Sequence, residues 1–507
     1  MTLRSKINTS QHKRLTNVQR VLINSIKCQT GLNLTKEAIR YFAVVDKLIR
    51  SRGVDDSVVR LKLVYNLALN SSLNQPLPPY SFIKTDKAGF PTCVSFLKKY
   101  RKTPQGYQAM LSILGYFRGI KASAKPDFTN IVSEGKVIDT VLLKELTSNV
   151  PQKWKFEINN LSAPRFRFRS RRGPNGQATH TALLDVLALQ SSPSLMDAML
   201  QISELHEADD YVESLEEFFD MKVKLPPGRK SVFHSKLSLK REGGGKTRIF
   251  AMVDYFTQCT LEPLHEKLAG ILETIAEDCT YDQNKAAPTL KTWTIGSNDL
   301  YSYDLKGASD RIPLILQTKM LEVLTNSSEY ADYWSKLISD RDFYYKGKPY
   351  RWKVGQPLGA YSSWPSFTLA HHLMVISAGK RVGITPEYFL LGDDIIIKGA
   401  QVAQEYRNIL GNLGIEIQFS KSLVGKPAEF AKRLFHKGYE ISPTPVKMLQ
   451  TLVKDPLLIT EVCDQMRQRA SNSTSFEHLC HTAVYSFHFL VRKRGSHKLL
   501  PILASMG

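Results

Sequence analysis

The segment EYFLLGDDIIIKG, residues 387–399, most constrains the fold of this chain. Its apolar runs at 388–391 and 395–397 predict two buried strands, and the glycine and aspartate between them predict a tight hairpin turn. Asp393 and Asp394 are then expected at the tip of a hydrophobic hairpin. Two adjacent carboxylates repel each other and cost free energy unless a cation neutralises them, so the segment favours cation binding over a purely structural turn.

A second acidic segment, LYSYDLKGASDRIPL, lies upstream at residues 300–314. Its tyrosine-rich beginning predicts a strand that ends at Asp304, because aromatic residues favour strands. Asp310 is expected in the turn that follows. The chain therefore carries carboxylates at the ends of two predicted strands.

Between these two segments lies VGQPLGAYSSWPSFTLAHHLMVISAG, residues 354–379. Its glycines predict a loop, and the residues after them predict a helix that Ser362 or Ser363 can cap. His371 and His372 are interpreted as packing residues on this helix.

Strand-Asp, glycine loop with helix, and Gly-Asp-Asp hairpin follow one another over about 95 residues, an order typical of the palm of a right-hand polymerase. Phosphoryl transfer depends on positioning and charge neutralisation more than on covalent help. Two Mg²⁺ (or Mn²⁺) ions roughly 3.5–4 Å apart can clamp the attacking 3′-hydroxyl and the leaving pyrophosphate. Because Mg²⁺ prefers oxygen ligands, we predict Asp304 and Asp393 as the bridging metal ligands and Asp394 as a supporting ligand.

The charge of the chain favours a polyanionic partner. The formal net charge is +22, and Lys and Arg gain affinity for phosphates by releasing counterions. Nucleic acid is the first expectation and an anionic membrane surface the second, but no apolar run of about 18 residues predicts a membrane-spanning helix. The first 36 residues hold seven Lys and Arg and no acid, which fits either a mitochondrial presequence or an RNA-binding arm.

A second basic feature is APRFRFRSRRGPNG, residues 163–176. Five arginines fall within eight residues, with Phe166 and Phe168 between them. At strand period the arginines share one face and the rings the other. Such a strand suits single-stranded nucleic acid, with Arg on phosphates and Phe stacked on bases. A basic hairpin whose rings belong to the core is the equally weighted alternative.

The segment REGGGKTRIF, residues 241–250, looks like a phosphate-binding loop. A P-loop needs a glycine five residues before Gly245, and Lys240 stands there, so the motif fails. What remains is a glycine-rich turn with cations that include Lys246 and Arg248. Taken alone, such a cluster favours a basic surface turn.

Together these segments resemble the motifs of mitovirus RNA-directed RNA polymerases, the replicases of a family of plus-strand RNA viruses. The resemblance runs from about residue 236 to 445. The matching segments are GKTRIFAMVDYFTQ at 245–258 (the finger motif), DLKGASDRIP (motif A), GQPLGAYSSW with HH (motif B), LLGDDIII (motif C), LGIEIQFSKS at 413–422 (motif D) and EFAKRLFHKG at 429–438 (motif E).

The resemblance implies a role for individual residues. Asp304 and Asp393 would hold the metals, and Lys421 would be the general acid that protonates pyrophosphate. The residues implied in binding the nucleoside triphosphate are Lys246 and Arg248 along its entry path, Asp310 and Ser363 at the ribose 2′-hydroxyl, and Gly359 in the flexible motif B loop. Phe367 stands where many plus-strand polymerases place an asparagine that helps to hold this hydroxyl.

The resemblance also implies an α+β fold, a right-hand polymerase whose antiparallel palm sheet packs on helices, with fingers and a helical thumb. The expected divisions are an N-terminal extension and fingers (1–230), fingers with the finger motif (231–290), the palm with inserted fingers segments (291–428), and motif E with the thumb (429–507).

The function implied is template-directed copying of a viral RNA genome in the host mitochondrion, with the RNA template and product strand as partners and without stable membrane insertion. A reverse transcriptase shares the palm but usually carries an aromatic gate after the motif A aspartate. The residues after Asp304, LKGASD, contain no ring and so favour ribonucleotides. A non-catalytic RNA-binding relic is the third reading, which the intact Asp304 and Gly-Asp-Asp disfavour.

Overall fold

The computed structural model describes residues 15–79, 82–296, 299–455 and 458–469. Most of the predicted thumb and the first 14 residues of the basic N-terminal segment lie outside these ranges. The described chain contains both helices and mainly antiparallel sheets, which confirms the predicted α+β class.

The part of the chain before residue 230 is helical. The capping box of Thr16 and Gln19 begins its first helix, and Gly53, with φ of 76°, interrupts its longest one. The helices are α1 (Asn17–Thr30), α2 (Thr35–Ser72), α3 (Pro104–Leu114), α4 (Thr129–Val132), α5 (Thr140–Ser148), α6 (Ala182–Leu189), α7 (Pro193–Leu205) and α8 (Asp209–Asp220).

Strands appear only after residue 230 in the described chain. They are β1 (Ser235–Glu242), β2 (Lys246–Val253), β3 (Leu300–Asp304), β4 (Phe343–Tyr345), β5 (Lys348–Tyr350), β6 (Glu387–Leu391), β7 (Asp394–Lys398), β8 (Leu423–Gly425), β9 (Ala428–Phe430), β10 (Arg433–His436) and β11 (Tyr439–Glu440). The helices among and after them are α9 (Tyr255–Glu273), α10 (Ala286–Gly296), α11 (Ala308–Arg311), α12 (Leu314–Thr325), α13 (Ser328–Ser339), α14 (Ser363–Val382), α15 (Ala400–Leu413), α16 (Val446–Lys454) and α17 (Ile459–Gln468).

A four-stranded antiparallel sheet in the order β6-β7-β3-β8 forms the centre of this region and is called the central sheet below. Both of its faces are covered. Ile395 and Ile397 pack into a core that includes residues of α14 and α15, whereas Ile396 packs into a second core with Phe430 of β9. Burial on both sides explains why the strand sequence is a continuous apolar run instead of an alternating one.

The described chain contains two further sheets. One is four-stranded in the order β2-β1-β4-β5, and the other is three-stranded in the order β11-β10-β9. In the first, β1 and β2 form the antiparallel hairpin of the glycine-rich segment, with Glu242 paired to Lys246 across a turn of three glycines. The segment that resembled a phosphate loop is therefore the tip of a long hairpin.

The strand predicted for the arginine-rich segment is wrong. Residues 164–171 have no regular secondary structure, and only an isolated bridge joins Arg172 to Gln177. Phe166 packs against Tyr211, whereas Phe168 is 72% exposed. Phe166 is thus packed against the core, as the second alternative expects for the rings, whereas base stacking by the exposed Phe168 stays a prediction. Tertiary packing and not strand alternation decides which ring meets the core.

Within the described ranges, no helix combines the length and the apolar character needed to cross a membrane.

Candidate active site

The three predicted aspartates come together at one end of the central sheet. β3 and β7 are antiparallel neighbours, and their register places Asp304 directly opposite Asp394. β6 and β7 pair up to Leu391 and Asp394, so Gly392 and Asp393 form a two-residue turn. Gly392 has φ of 60°, which favours glycine. The predicted hairpin is confirmed, with Asp393 in its turn and Asp394 as the first residue of its second strand.

The turn is packed closely against α14. A Cβ atom on Gly392 would lie 2.3 Å from the Trp364 ring, so a larger residue would have to displace the tryptophan. Nδ1 of His371 lies 2.7 Å from the Gly392 carbonyl oxygen, and burial lowers the pKa of His371 to about 4, so the ring is neutral at neutral pH. Two side chains of α14, Trp364 and His371, thus hold the turn in place.

The aspartates form a site of concentrated negative charge. Burial raises the pKa of Asp393, although its side chain is open to solvent at the hairpin tip, and the charge of Asp304 adds to the rise. Burial, Asp393 and Asp304 raise the pKa of Asp394 to about 7. Asp393 and Asp394 are therefore harder to ionise beside the neighbouring carboxylates, and a cation bound there would relieve that cost.

Lys421, the implied general acid, lies beside the motif A aspartate. Its Nζ is 2.6 Å from Oδ2 of Asp304. The backbone N–H of Asp304 donates to Ser422 Oγ at 3.3 Å, and the N–H of Gln418 donates to the Asp304 carbonyl at 2.7 Å. These bonds fasten the segment around Lys421 to the end of β3.

The carboxylates fit divalent-cation chemistry without forming a complete cage. No cluster of three or more His, Cys, Asp or Glu side chains that could hold a metal ion occurs in the described part of the chain. Mg²⁺ in nucleotide-handling sites commonly takes one or two carboxylates and completes its shell with water and substrate phosphates. Asp304 and Asp393, with Asp394 beside them, are a donor set of that incomplete kind.

The two residues implied in ribose binding each have a protein partner. Asp310 lies in the short helix α11, so the turn predicted for it is wrong, and Trp352 Nε1 donates to its Oδ1 at 2.9 Å. Burial raises its pKa. Ser363 is buried, and its hydroxyl donates to the Ala360 carbonyl at 2.6 Å. Their joint action on a ribose stays a prediction.

The loop before α14 rests on β2. At Gly359, φ is 145° and a Cβ atom would lie 2.0 Å from the Ala251 carbonyl oxygen, so only glycine allows this approach. The side chain of Gln258 holds the loop from α9: its Nε2 donates to the Gly359 carbonyl at 2.8 Å, and its Oε1 accepts from Tyr361 N–H at 2.9 Å. A feature predicted for flexibility is thus also a close backbone contact.

The expected capping of α14 is only partly correct. Ser362 is the residue before the helix, but its side chain makes no cap hydrogen bond. Instead, its φ is 67° and its hydroxyl accepts from Trp334 Nε1 at 2.8 Å. The Trp334 N–H thus donates to the hydroxyl oxygen that could otherwise accept from a backbone N–H at the start of α14.

Lys246 and Arg248, the cations near the tip of the β1–β2 hairpin, have different surroundings. Although the Lys246 side chain is exposed, desolvation at the hairpin lowers its pKa, as do the charges of Arg248 and Lys421, whereas Asp393 opposes the shift. Lys246 therefore shares the electrostatic environment of the site. Arg248 Nε is 3.0 Å from Glu242 Oε1, and Lys447 of α16 is 2.9 Å from the other oxygen of Glu242.

The sequence did not single out two other ionisable groups near the aspartates. Burial raises the pKa of Glu429 to about 7; Arg118 opposes the rise, and Asp394 and Asp304 add to it. Lys62 of α2 has its pKa lowered by burial and by Lys421. A lone acid within the short strand AEF was a usable signal for Glu429. No sequence signal pointed to Lys62, because its proximity to the aspartates depends on how the distant helix α2 packs.

This chain is similar to several known proteins. The family described as Mitovirus RNA-dependent RNA polymerase matches residues 159–501. The RNA-directed RNA polymerase of Cryphonectria parasitica mitovirus 1 is 27% identical over 424 residues, which cover 77% of this chain and 51% of that protein. The chain therefore spans about half the length of this relative.

Two shorter relatives come from Arabidopsis thaliana. The uncharacterized mitochondrial protein AtMg01410 is 34% identical over 165 residues, 31% of this chain and 79% of its own length. The uncharacterized mitochondrial protein AtMg01110 is 31% identical over 192 residues, 35% of this chain and 76% of its own length.

Among solved structures, an insertion-loop deletion mutant of the RNA-dependent RNA polymerase of a human picorbirnavirus superposes with a TM-score of 0.48 at 12% identity. It covers 78% of this chain and 86% of that chain. The family match alone extends over more than half of the sequence and includes every predicted site residue. The chain belongs to the mitovirus RNA-dependent RNA polymerase family.

Proposed function

We propose that this protein is an RNA-directed RNA polymerase that copies a viral RNA genome by template-directed, two-metal nucleotidyl transfer. The observation that carries the proposal is the register of the central sheet, which sets Asp304 opposite Asp394 and places Asp393 in the adjoining turn. Carboxylates on adjacent strands are suited to hold the cations that such a reaction needs.

Each of the site residues is proposed to have its own role in the reaction. Asp304 and Asp393, supported by Asp394, would hold two Mg²⁺ or Mn²⁺ ions, which when bound supply charge neutralisation for the attacking and leaving oxygens. Lys421 carries a proton beside Asp304 and would deliver it to the departing pyrophosphate oxygen. Lys246 and Arg248 would guide the triphosphate into the site by their charge.

We also propose that the site selects ribonucleotides over deoxyribonucleotides. Asp310 and Ser363 are proposed to monitor the 2′-hydroxyl, and Asp310 is held in place by Trp352. The residues that follow Asp304 up to Asp310 include no aromatic ring that could exclude a 2′-hydroxyl. This distinguishes the site from that of a reverse transcriptase.

We propose that residues 165–172, the arginine arm, contact the template strand. Phe168 is 72% exposed and meets the His180 ring edge-on, so most of its ring surface is open for stacking on a base. Arg169 anchors the arm: it lies 3.0 Å from Glu262 and donates to the Tyr361 hydroxyl at 3.0 Å. Since Tyr361 follows the loop of Gly359, the arm is attached to the region that leads into the site.

The remaining proposals concern context. The similarity to a mitovirus polymerase and to two plant mitochondrial proteins supports action in the host mitochondrion. The divisions 1–230, 231–290, 291–428 and 429–507 are proposed as N-terminal extension with fingers, fingers, palm and thumb. The central sheet falls within the third of them.

Nucleotide incorporation on a primed or self-primed RNA template tests the function. The wild type should extend RNA with ribonucleotides in Mg²⁺ or Mn²⁺ and discriminate against deoxyribonucleotides offered in parallel. Asp393→Ala should abolish extension. Glu387→Gln is the matched control, since Glu387 lies at the other end of the same hairpin in an exposed ion pair with Lys398. Full activity of Asp393→Ala would refute the metal assignment, and equal use of both sugars would refute the proposed selectivity.

A further inference from the structure

His371 lies within α14 and is completely buried. Its Nδ1 is 2.7 Å from the Gly392 carbonyl oxygen, and its Nε2 is 2.6 Å from the Tyr406 hydroxyl. A carbonyl oxygen only accepts hydrogen bonds, so Nδ1 carries the ring proton and donates it. Nε2 then accepts from Tyr406, which fixes this tautomer.

The bond acts on the central peptide of the Gly392–Asp393 turn. The Gly392 carbonyl belongs to the peptide group between Gly392 and Asp393. Holding that carbonyl restricts rotation of the peptide plane, and with it the direction in which the Asp393 side chain leaves the turn. A glycine needs such an external constraint more than any other residue, because its backbone has the widest conformational freedom.

The histidine also connects this turn to the other carboxylate strand. The Tyr406 ring stacks on the His371 ring with centroids 5.9 Å apart, and on the Tyr303 ring with centroids 6.2 Å apart. Tyr303 immediately precedes Asp304 in β3. A continuous series of buried contacts therefore runs from the Asp393 turn through His371 to the strand of Asp304.

We propose that His371 is a positioning residue, which sets the orientation of Asp393 relative to Asp304 for cation binding by donating a hydrogen bond to the Gly392 carbonyl. This inference rests on the proposed function of the two aspartates as metal ligands. It departs from the expectation that His371 only packs, because packing alone requires neither the donated proton nor a specified tautomer.

The neighbouring His372 provides a matched comparison. It is equally buried, and its ring nitrogens bond to the Tyr388 hydroxyl at 2.9 Å and to Asp278 at 3.0 Å. Both histidines thus lie on one helix and bond a tyrosine, but the bonds of His372 are directed to β6 and to Asp278 instead of to the turn.

Two substitutions separate the bonds of His371. In His371→Asn the amide nitrogen can occupy the place of Nδ1 and still donate to Gly392. In His371→Gln the longer side chain reaches the place of Nε2 and keeps the tyrosine partner, but loses the bond to the turn. We expect His371→Gln to lower kcat by on the order of 10- to 100-fold, the cost of a small misplacement at a reacting centre. It should also weaken Mn²⁺ binding, measured by calorimetry without nucleotide, while His371→Asn stays close to the wild type in both measurements.

His372→Gln controls for the loss of a buried histidine and should lower the melting temperature without weakening Mn²⁺ binding. Equal losses of Mn²⁺ affinity in His371→Asn and His371→Gln would overturn the inference, as would wild-type affinity in His371→Gln. Failure of the proposed function has a different signature: the wild type would bind Mn²⁺ no better than Asp393→Ala.

Discussion

The Lys421 ammonium lies 2.6 Å from a carboxylate oxygen of Asp304. This contact joins the proposed proton donor to a proposed metal ligand, and their charges neutralise each other. A cation at Asp304 would therefore compete with the lysine for the same carboxylate.

Replacement of Lys421 by methionine should separate the two roles. We expect Lys421→Met to reduce the rate of nucleotide incorporation by about 10²-fold, the usual contribution of a general acid. Calorimetric Mn²⁺ affinity should be unchanged or higher, because the competing ammonium is gone. Lys306→Met is the control, since Lys306 lies two residues after Asp304 but pairs with Glu416. Weaker Mn²⁺ binding by Lys421→Met, or an undiminished rate, would contradict the assignment.

Gly359 should not tolerate a methyl group. Gly359→Ala places a Cβ atom 2.0 Å from the Ala251 carbonyl and strains a backbone whose φ is 145°. We expect a loss of about 1–3 kcal/mol from the strain alone, together with reduced incorporation as the loop moves away from β2. Thermal melting and primer extension measure the two effects. Gly383→Ala, at a positive φ with open space around the Cβ position, should retain activity; similar inactivation by both changes would argue against a specific role for the loop contact.

The two rings of the arginine arm should respond differently to truncation. Phe168→Ala should weaken binding of single-stranded RNA by about 1–3 kcal/mol, the value of one stacked base, with little effect on melting. Phe166→Ala should instead destabilise the fold by about 3–5 kcal/mol, because Phe166 packs against Tyr211 and Tyr255. Fluorescence anisotropy with labelled RNA measures the first effect and chemical unfolding the second. Unaltered RNA affinity in Phe168→Ala would remove the arm from the template path.

Asp185 should make folding stability depend on pH. Burial and the charge of Asp254 raise its pKa to about 7, whereas an unfolded aspartate titrates near 4. Between these values the folded state holds a proton that the unfolded state has released, so the contribution of Asp185 to stability falls as pH rises from 4 to 7.

Chemical unfolding of the wild type and Asp185→Asn across this range isolates the effect from other titrating groups. Because a tenfold change in proton affinity is about 1.4 kcal/mol, the wild type should lose roughly 2–4 kcal/mol relative to the variant between pH 4 and pH 7. A difference that stays constant or grows with pH would show that Asp185 is ionised in the folded protein.

The sequence was sufficient where chemistry and local pattern coincide. Gly392 and Asp393 between two apolar runs predict a hairpin turn, and the tyrosine-rich segment before Asp304 predicts a strand that ends there. Lys421 was singled out by resemblance to a family, not by any local rule, and its contact with Asp304 was not predicted.

The sequence was insufficient where long-range packing decides. Phe166 and Phe168 occupy equivalent positions in the pattern RFRFR, yet only the first meets the rings of α8 and α9. The sequence pattern predicts Ser362 as a cap, but its hydroxyl accepts from Trp334, which lies 28 residues earlier in the chain. The bond from His371 to the Gly392–Asp393 turn likewise depends on how α14 packs against the sheet. Helix periodicity does not specify that packing.

Burial of β7 on both faces has a consequence for local unfolding. Exchange of the backbone amides of Ile395, Ile396 and Ile397 requires separation of two cores and two neighbouring strands, so these amides should be among the last in the chain to exchange with solvent. Asp393 projects from the end of this slowly opening strand. The tip of the β1–β2 hairpin, where Lys246 is exposed, is instead held by the bridge of Lys121 to Gly243 and by the Gly244 N–H, which donates to the Ile120 carbonyl at 2.9 Å. Since these contacts are few beside the two cores that cover β7, we expect the amides of the tip to exchange before those of the strand that follows the carboxylate turn.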